Sequence, residues 1–259
     1  MSDIFGFEPV NDGWEGELPE GWGVVGGAIN GGYLLAVVTA LAQTSVRQPD
    51  PVTVTGHFTG PGRAGPARVV TTVHKSGGGH STVGATLVQE GRTVVAALAT
   101  FGDLSVVPAD DPTPAPSGSP HDAVAVTKAR APGTPDIVER LQLRIDADLA
   151  EFFTGAPAGR AEMAGWIHPS PETPPGVFGL LVMADVFPPP IFNLGHLGWT
   201  PTVELTVHCR RRPPRGWVRG EFRTRFMTGP YLEEDGELRD ADGRLLAVSR
   251  QLALMPRRS

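Results

Sequence analysis

PPGVFGLLVMADVF, residues 174–187, followed by WTPTVELTVHCRR, residues 199–211, repeats a pattern met earlier in the chain. The first instance is NGGYLLAVVTALAQTSV, residues 30–46, followed by the strand that begins at Pro51. In both, a glycine-marked turn opens an apolar helix and a proline-opened strand comes next. Farther on, EGRTVVAALATF (90–101) and DGRLLAVSRQLAL (242–254) each carry a Gly-Arg turn and an apolar last strand. Pro51 matches Pro201 at an offset of 150 (201 − 51), and Gly91 matches Gly243 at 152 (243 − 91). Residues 30–101 and 174–254 therefore read as two copies of one unit.

At these offsets Thr202 stands opposite Val52, and Gln251 opposite Ala99. The helices align near an offset of 144 (176 − 32), which sets Asp185 opposite Leu41. Three polar residues replace three apolar ones in an otherwise similar scaffold. A duplicated fold in which one copy holds a site has this appearance.

The first helix is apolar nearly all round, so something must wrap it. The pattern predicts strands near 52–58, 67–74, 81–89 and 93–101, separated by GPGRAGP, KSGGG and EGR turns, and a weak first strand within 3–16. The second half restarts near Asp136. LQLRIDADLAEFF and AEMAGWI read as strands, and VFGLLVMADVF as a helix stopped by Pro188, Pro189 and Pro190. In WVRGEFRTRF, Val218, Phe222 and Phe226 alternate with Arg219, Glu221, Arg223 and Arg225, which predicts one dry face and one wet face. The expected class is α+β, a curved antiparallel sheet around a central helix, built twice. Residues 1–104 form the first repeat and 136–259 the second. Residues 105–135, with VPADDPTPAPSGSP, read as an exposed Pro/Ala-rich linker.

A chain of 259 residues with 40% hydrophobic and 19% charged side chains should bury a core. Its net charge of −6 argues against a nucleic-acid binder, which needs a basic face. Cys209 is the only cysteine, so no intrachain disulfide forms and a reducing compartment is expected. The acidic, polar start (MSDIFGFEPVNDGWEGELPE) has no signal-peptide core, and no apolar run reaches the roughly 20 residues of a membrane span. A cytoplasmic protein is the expectation.

MADVF (183–187), WTPTVELTVHCRR (199–211) and DADGRLLAVSRQLALM (240–255) resemble the acyl-CoA thioesterase II group, the double-hotdog thioesterases. The resemblance covers most of the chain outside the linker and the extreme N-terminus. It implies two tandem hotdog repeats. It also implies hydrolysis of a fatty or other acyl-CoA to free acid and CoA, with no metal and no organic cofactor. A water held by Asp185, Thr202 and Gln251 would be the nucleophile. Asn30, Gly31, Gly32 and Tyr33 resemble the glycine-rich helix start that faces the acid across the interface.

The residues themselves allow these roles. A carboxylate in an apolar helix costs several kcal/mol without partners, so Asp185 is either a base or a helix-end residue turned to solvent. Thr202 and Gln251 both donate and accept, as orienting a water requires, yet each is also common in strands. Free N–H groups at the Asn30-Gly31-Gly32 helix start could hold an oxyanion, or the glycines could serve tight packing. The acyl chain is expected in a tunnel lined by Tyr33, Val37, Leu181 and Phe178. Arg210, Arg211, Arg212 and Arg215 could meet CoA phosphates but read better as a solvated strand end. GWGVVG (21–26) matches a dinucleotide fingerprint without the strand that must precede it. The histidines lack metal-ligand spacing.

Two other readings stand beside hydrolysis. One is a non-hydrolytic acyl-CoA or fatty-acyl binding protein. The other is a hotdog hydratase or dehydratase, which uses a nearby Asp–His pair; here no histidine follows Asp185 until His196. A homo-oligomer paired through sheet edges is expected, with an apparent mass above 27.4 kDa.

Overall fold

The computed structural model describes residues 5–105, 118–129 and 134–256. The strands are β1 (Phe7–Val10), β2 (Gly13–Leu18), β3 (Asp50–Phe58), β4 (Gly65–Lys75), β5 (Ser81–Gln89), β6 (Arg92–Gly102), β7 (Val124–Ala125), β8 (Leu141–Ile145), β9 (Glu162–Pro169), β10 (Thr202–Cys209), β11 (Val218–Arg223), β12 (Met227–Thr228), β13 (Tyr231–Asp240) and β14 (Leu245–Leu254). Helix α1 (Gly31–Gln43) lies between β2 and β3, and α2 (Val177–Met183) between β9 and β10.

All strands join one antiparallel sheet in the order β1-β2-β4-β5-β6-β3-β10-β14-β13-β11-β9-β8-β7, with β12 on β13. The order β2-β4-β5-β6-β3 in the first half is matched by β9-β11-β13-β14-β10 in the second, each with its helix after the first strand. The expected double hotdog is therefore present. The halves meet where β3 pairs β10, and Thr55 and Thr206 share a hydroxyl hydrogen bond of 2.8 Å at that seam. Helix α1 is buried from Gly32 to Ala42, as a helix apolar on every side must be, and it packs on α2. No helix of the described residues is long and apolar enough to cross a membrane.

Register corrects one alignment. β3 carries an irregularity between Pro51 and Thr53, and β10 carries one between Thr202 and Glu204. Pro51 pairs with Phe101 as Thr202 pairs with Ala253. Thr202 thus stands where the first repeat has Pro51, not Val52. Gln251 remains opposite Ala99: Ala99 pairs with Val54, and Gln251 with Leu205.

Four local expectations also change. Part of the stretch read as linker is sheet, because Val124–Ala125 pairs with β8 and Val126 is buried in the core. LQLRIDADLAEFF is a strand only to Ile145; short 3-10 turns at Ala147–Leu149 and Glu151–Thr154 follow, and Leu149 and Phe152 anchor them. Arg219 is not on a wet face. It is 3% exposed, its guanidinium is paired with both Asp146 oxygens at 2.7 Å, and it lies over the Trp166 ring. Phe226 lies beyond the end of β11 and is 56% exposed. Charge and hydrophobicity alone did not show that the segment around Asp146 covers this face.

Candidate active site

Helix α2 ends at Met183, five residues before the first proline of its stop. Its last turn tightens: Ala184 N–H donates to Leu180 O, then Asp185 N–H donates to Val182 O, one residue closer than an α-helix allows. That turn swings Asp185 out of the helix and toward the start of α1. There Asn30 caps α1, its Oδ1 accepting from Tyr33 N–H at 2.9 Å. Its Nδ2 donates to the Asp185 carbonyl at 2.7 Å and to Asp185 Oδ2 at 3.0 Å. Gly32 N–H donates to the same Oδ2 at 2.8 Å. The carboxylate therefore rests on the positive end of α1. Only glycine permits this approach, since a Cβ at position 32 would lie 2.3 Å from Leu181 O.

A cavity of about 640 Å³ opens at the seam between the repeats, and Asn30, Gly31, Asp185, Thr202, Gln251 and Glu234 all line it. Its volume falls in the range of small-molecule sites. Directly paired residues in neighbouring strands point to one face, and residues two apart do so along a strand. Gln251 pairs with Glu234 on β13, and Ala253, two residues on, pairs with Thr202. The sheet thus presents three polar side chains across from Asp185. Gln251 is buried, and its Oε1 has no hydrogen-bond partner among the described residues.

Several expected residues have other jobs. Tyr33 stacks on Trp22 with ring centroids 4.2 Å apart, and burial pushes its phenol up to about 12. Val37 and Leu181 are fully buried, and Phe178 packs on the core outside the cavity. The apolar wall is formed instead by Leu34, Phe58, Val126, Leu143, Phe152 and Phe192. The helix residues chosen from sequence are spent on the core, whereas the cavity lies along the seam. The amides of Gly32 and Tyr33 already hold Asp185 and the Asn30 cap, so neither is free for an oxyanion. Arg212 pairs with buried Asp50 at 2.8 Å, and none of Arg210, Arg211, Arg212 or Arg215 lines the cavity. Val24 and Val25, from the glycine-rich loop 21–26, line it.

Glu234 is the residue that sequence reading missed. The signal becomes visible in the register: in the first repeat Val83 pairs with Ala99, and in the second Glu234 pairs with Gln251. A fourth polar residue thus replaces an apolar one. Strands β5 and β13 share too little composition to be aligned by eye.

Burial pushes the Asp185 carboxyl up to about 6, and hydrogen bonds from Gly32, Gly31 and Asn30 hold it from rising further. Burial, with the negative charges of Asp185 and Asp235 adding to it, pushes Glu234 up to about 8. A carboxyl whose folded value is raised contributes stability that is complete below its unfolded value, near 4, and lost as pH rises through the folded value. The protein should therefore lose stability from Glu234 between about pH 4.5 and 8. Glu234→Gln removes that loss, so the gap in Tm between variant and wild type should widen by several degrees from pH 5 to pH 8.5. Thermal melts at the two pH values check this; a constant gap would contradict the assigned burial.

Family models match both halves: an acyl-CoA thioesterase N-terminal domain over residues 18–102, and an acyl-CoA thioesterase C-terminal domain over 107–255. An uncharacterized protein of Mycobacterium tuberculosis is 31% identical over 266 residues, covering 94% of this chain and 91% of that protein. Among solved structures, a thioesterase II candidate from Thermobifida fusca YX is 29% identical with a TM-score of 0.84, covering 96% of this chain and 94% of that one. A Mycobacterium marinum acyl-CoA thioesterase II shares the fold at 16% identity and a TM-score of 0.72, covering 99% of this chain and 98% of that one. Two matched domains in tandem, the double-hotdog sheet and a carboxylate set in an apolar cavity at the seam lead to one conclusion: this chain belongs to the acyl-CoA thioesterase family, whose members are thioester hydrolases.

Proposed function

We propose that this chain hydrolyses an acyl-CoA thioester with Asp185 as general base and with Thr202 and Gln251 orienting the attacking water. The observation that carries the reading is the setting of Asp185. Its Oδ2 accepts from Asn30 Nδ2 and Gly32 N–H at the α1 start, which fixes the carboxylate at the wall of the cavity where a water can reach it. A base with a value of about 6 is ionised at neutral pH and still basic enough to accept a proton. Gln251 Oε1, buried without a partner among the described residues, is an acceptor for the second hydrogen of that water.

Water oxygen attacks the thioester carbonyl carbon while its proton passes to Asp185. The tetrahedral intermediate then collapses, the C–S bond breaks, and Asp185 returns the proton to the departing CoA thiolate. The acyl chain lies against the Leu34, Phe58 and Phe192 wall. Exposed Leu197 and Trp199, which also line the cavity, stand where the chain would enter.

Thiol release from acyl-CoAs of graded chain length tests this. Turnover with a defined length optimum is expected from a bounded cavity of this volume. Tight acyl-CoA binding with no thiol release from any member would instead support the binding-protein reading.

A further inference from the structure

The carbonyl oxygen of a thioester becomes negative as water attacks, and it needs a hydrogen-bond donor at that moment. In this fold the helix-start amides of Gly32 and Tyr33 are already spent on Asp185 and Asn30. Glu234 is a further group in the cavity with suitable chemistry. Glu234 is 9% exposed, lines the cavity, and makes no side-chain hydrogen bond among the described residues. It pairs directly with Gln251, so the two side chains share the face turned to the substrate. Packing does not require a carboxyl there, because the same fold places Val83 at the matching position of the first repeat.

We propose that Glu234 is a second catalytic carboxyl, held protonated, whose O–H donates a hydrogen bond to the thioester carbonyl oxygen as it becomes an oxyanion. The proposal rests on the thioesterase reading and deepens it. The C–O bond forms from water, the carbonyl π pair moves onto oxygen beside Glu234, and Asp185 takes the water proton. On collapse that pair re-forms the carbonyl and the C–S pair leaves with sulfur. Glu234 keeps its proton throughout.

The surroundings favour the neutral acid. Asp185 faces Glu234 from the end of α2 and Asp235 follows it on β13, both negative. Asp235 is tied to Arg225 at 2.6 Å and Arg250 at 2.8 Å, so those cations are engaged elsewhere. Exposed Arg223 on β11 pairs in register with Asp235. The cross-strand partner Gln251 is uncharged, as are Met227 and Thr228 on β12. At neutral pH the pair therefore shares one negative charge and one proton, and the burial of Glu234 beside two acids favours the proton there.

The test is the pH profile of kcat and kcat/KM for wild type, Glu234→Gln, Glu234→Val and Asp185→Asn, with thermal melts to show that each is folded. Wild type should give a bell with limbs near 6 and 8. Glu234→Val, which copies the first repeat, should lower kcat by about 10²–10³-fold with little change in KM, the scale of a lost oxyanion donor. Glu234→Gln keeps an N–H donor, so it should recover kcat to within about tenfold while losing the alkaline limb. Wild-type kcat in folded Glu234→Val would overturn the proposal, as would an unshifted alkaline limb in Glu234→Gln. If Asp185→Asn is inactive while both Glu234 variants are unaffected, only this proposal falls. If Asp185→Asn is fully active, the base assignment falls too.

Discussion

Asp185→Asn should lower kcat for thioester hydrolysis by about 100-fold or more, with KM changed by only a few-fold. The substitution is nearly isosteric, and its amide oxygen can still accept from Gly32 N–H and Asn30 Nδ2, which now hold Oδ2 at 2.8 Å and 3.0 Å. What it cannot do is take a proton from water. The loss should therefore fall on the chemical step and not on substrate binding. The fold should survive, because the variant removes a buried charge. The acid limb near 6 should vanish from whatever activity remains. The measurement is single-substrate kinetics across pH with the chain length that wild type prefers. A folded variant with wild-type kcat would rule Asp185 out as the base.

Gly32→Ala should lower both stability and turnover, although it adds a single methyl group. Alanine in a helix interior normally stabilises by about 1 kcal/mol relative to glycine. Here the sign reverses, because a Cβ at position 32 would lie 2.3 Å from Leu181 O and 2.9 Å from Asp185 Cβ. Both obstacles are close to backbone, so no side-chain rotation relieves them. α2 must shift, and the 2.8 Å bond from Gly32 N–H to Asp185 Oδ2 is lost or stretched. A misplacement of about 1 Å is enough to cost about 100-fold in rate. The expected result is a drop of several degrees in Tm together with roughly that loss in kcat. Gly78→Ala, where an added Cβ meets nothing within 4 Å, should leave both unchanged. A Gly32→Ala variant with wild-type Tm and kcat would refute the tight helix crossing on which the site depends.

Much of this architecture is legible without coordinates. A helix as apolar as residues 33–42 has no wet face, and strands of period two on either side of Gly-rich turns leave a wrapped helix as the economical arrangement. The duplication is legible because prolines and Gly-Arg turns recur in order. Asp185, Thr202 and Gln251, singled out in the sequence, all line one cavity. The bulges at Pro51 and Thr202 were not legible, so the alignment there slipped by one residue. Arg219 was read as solvated because its counter-charge, Asp146, lies 73 positions away in sequence.

The spacing of apolar residues, glycines and prolines is a local property, and local properties determine which segments become helix or strand and that the unit occurs twice. Which polar groups meet is decided by packing between distant segments. The Gly32 amide could have served an oxyanion, and only the contact between α1 and the end of α2 commits it to Asp185. Glu234 reads as one of several acids in YLEEDGELRD, a strand whose residues alternate between buried and partly exposed. Only the register of β13 against β14 turns it inward beside Gln251 and raises its proton affinity. Burial and electrostatic neighbours act through space, so the protonation states on which this chemistry rests belong to the tertiary structure.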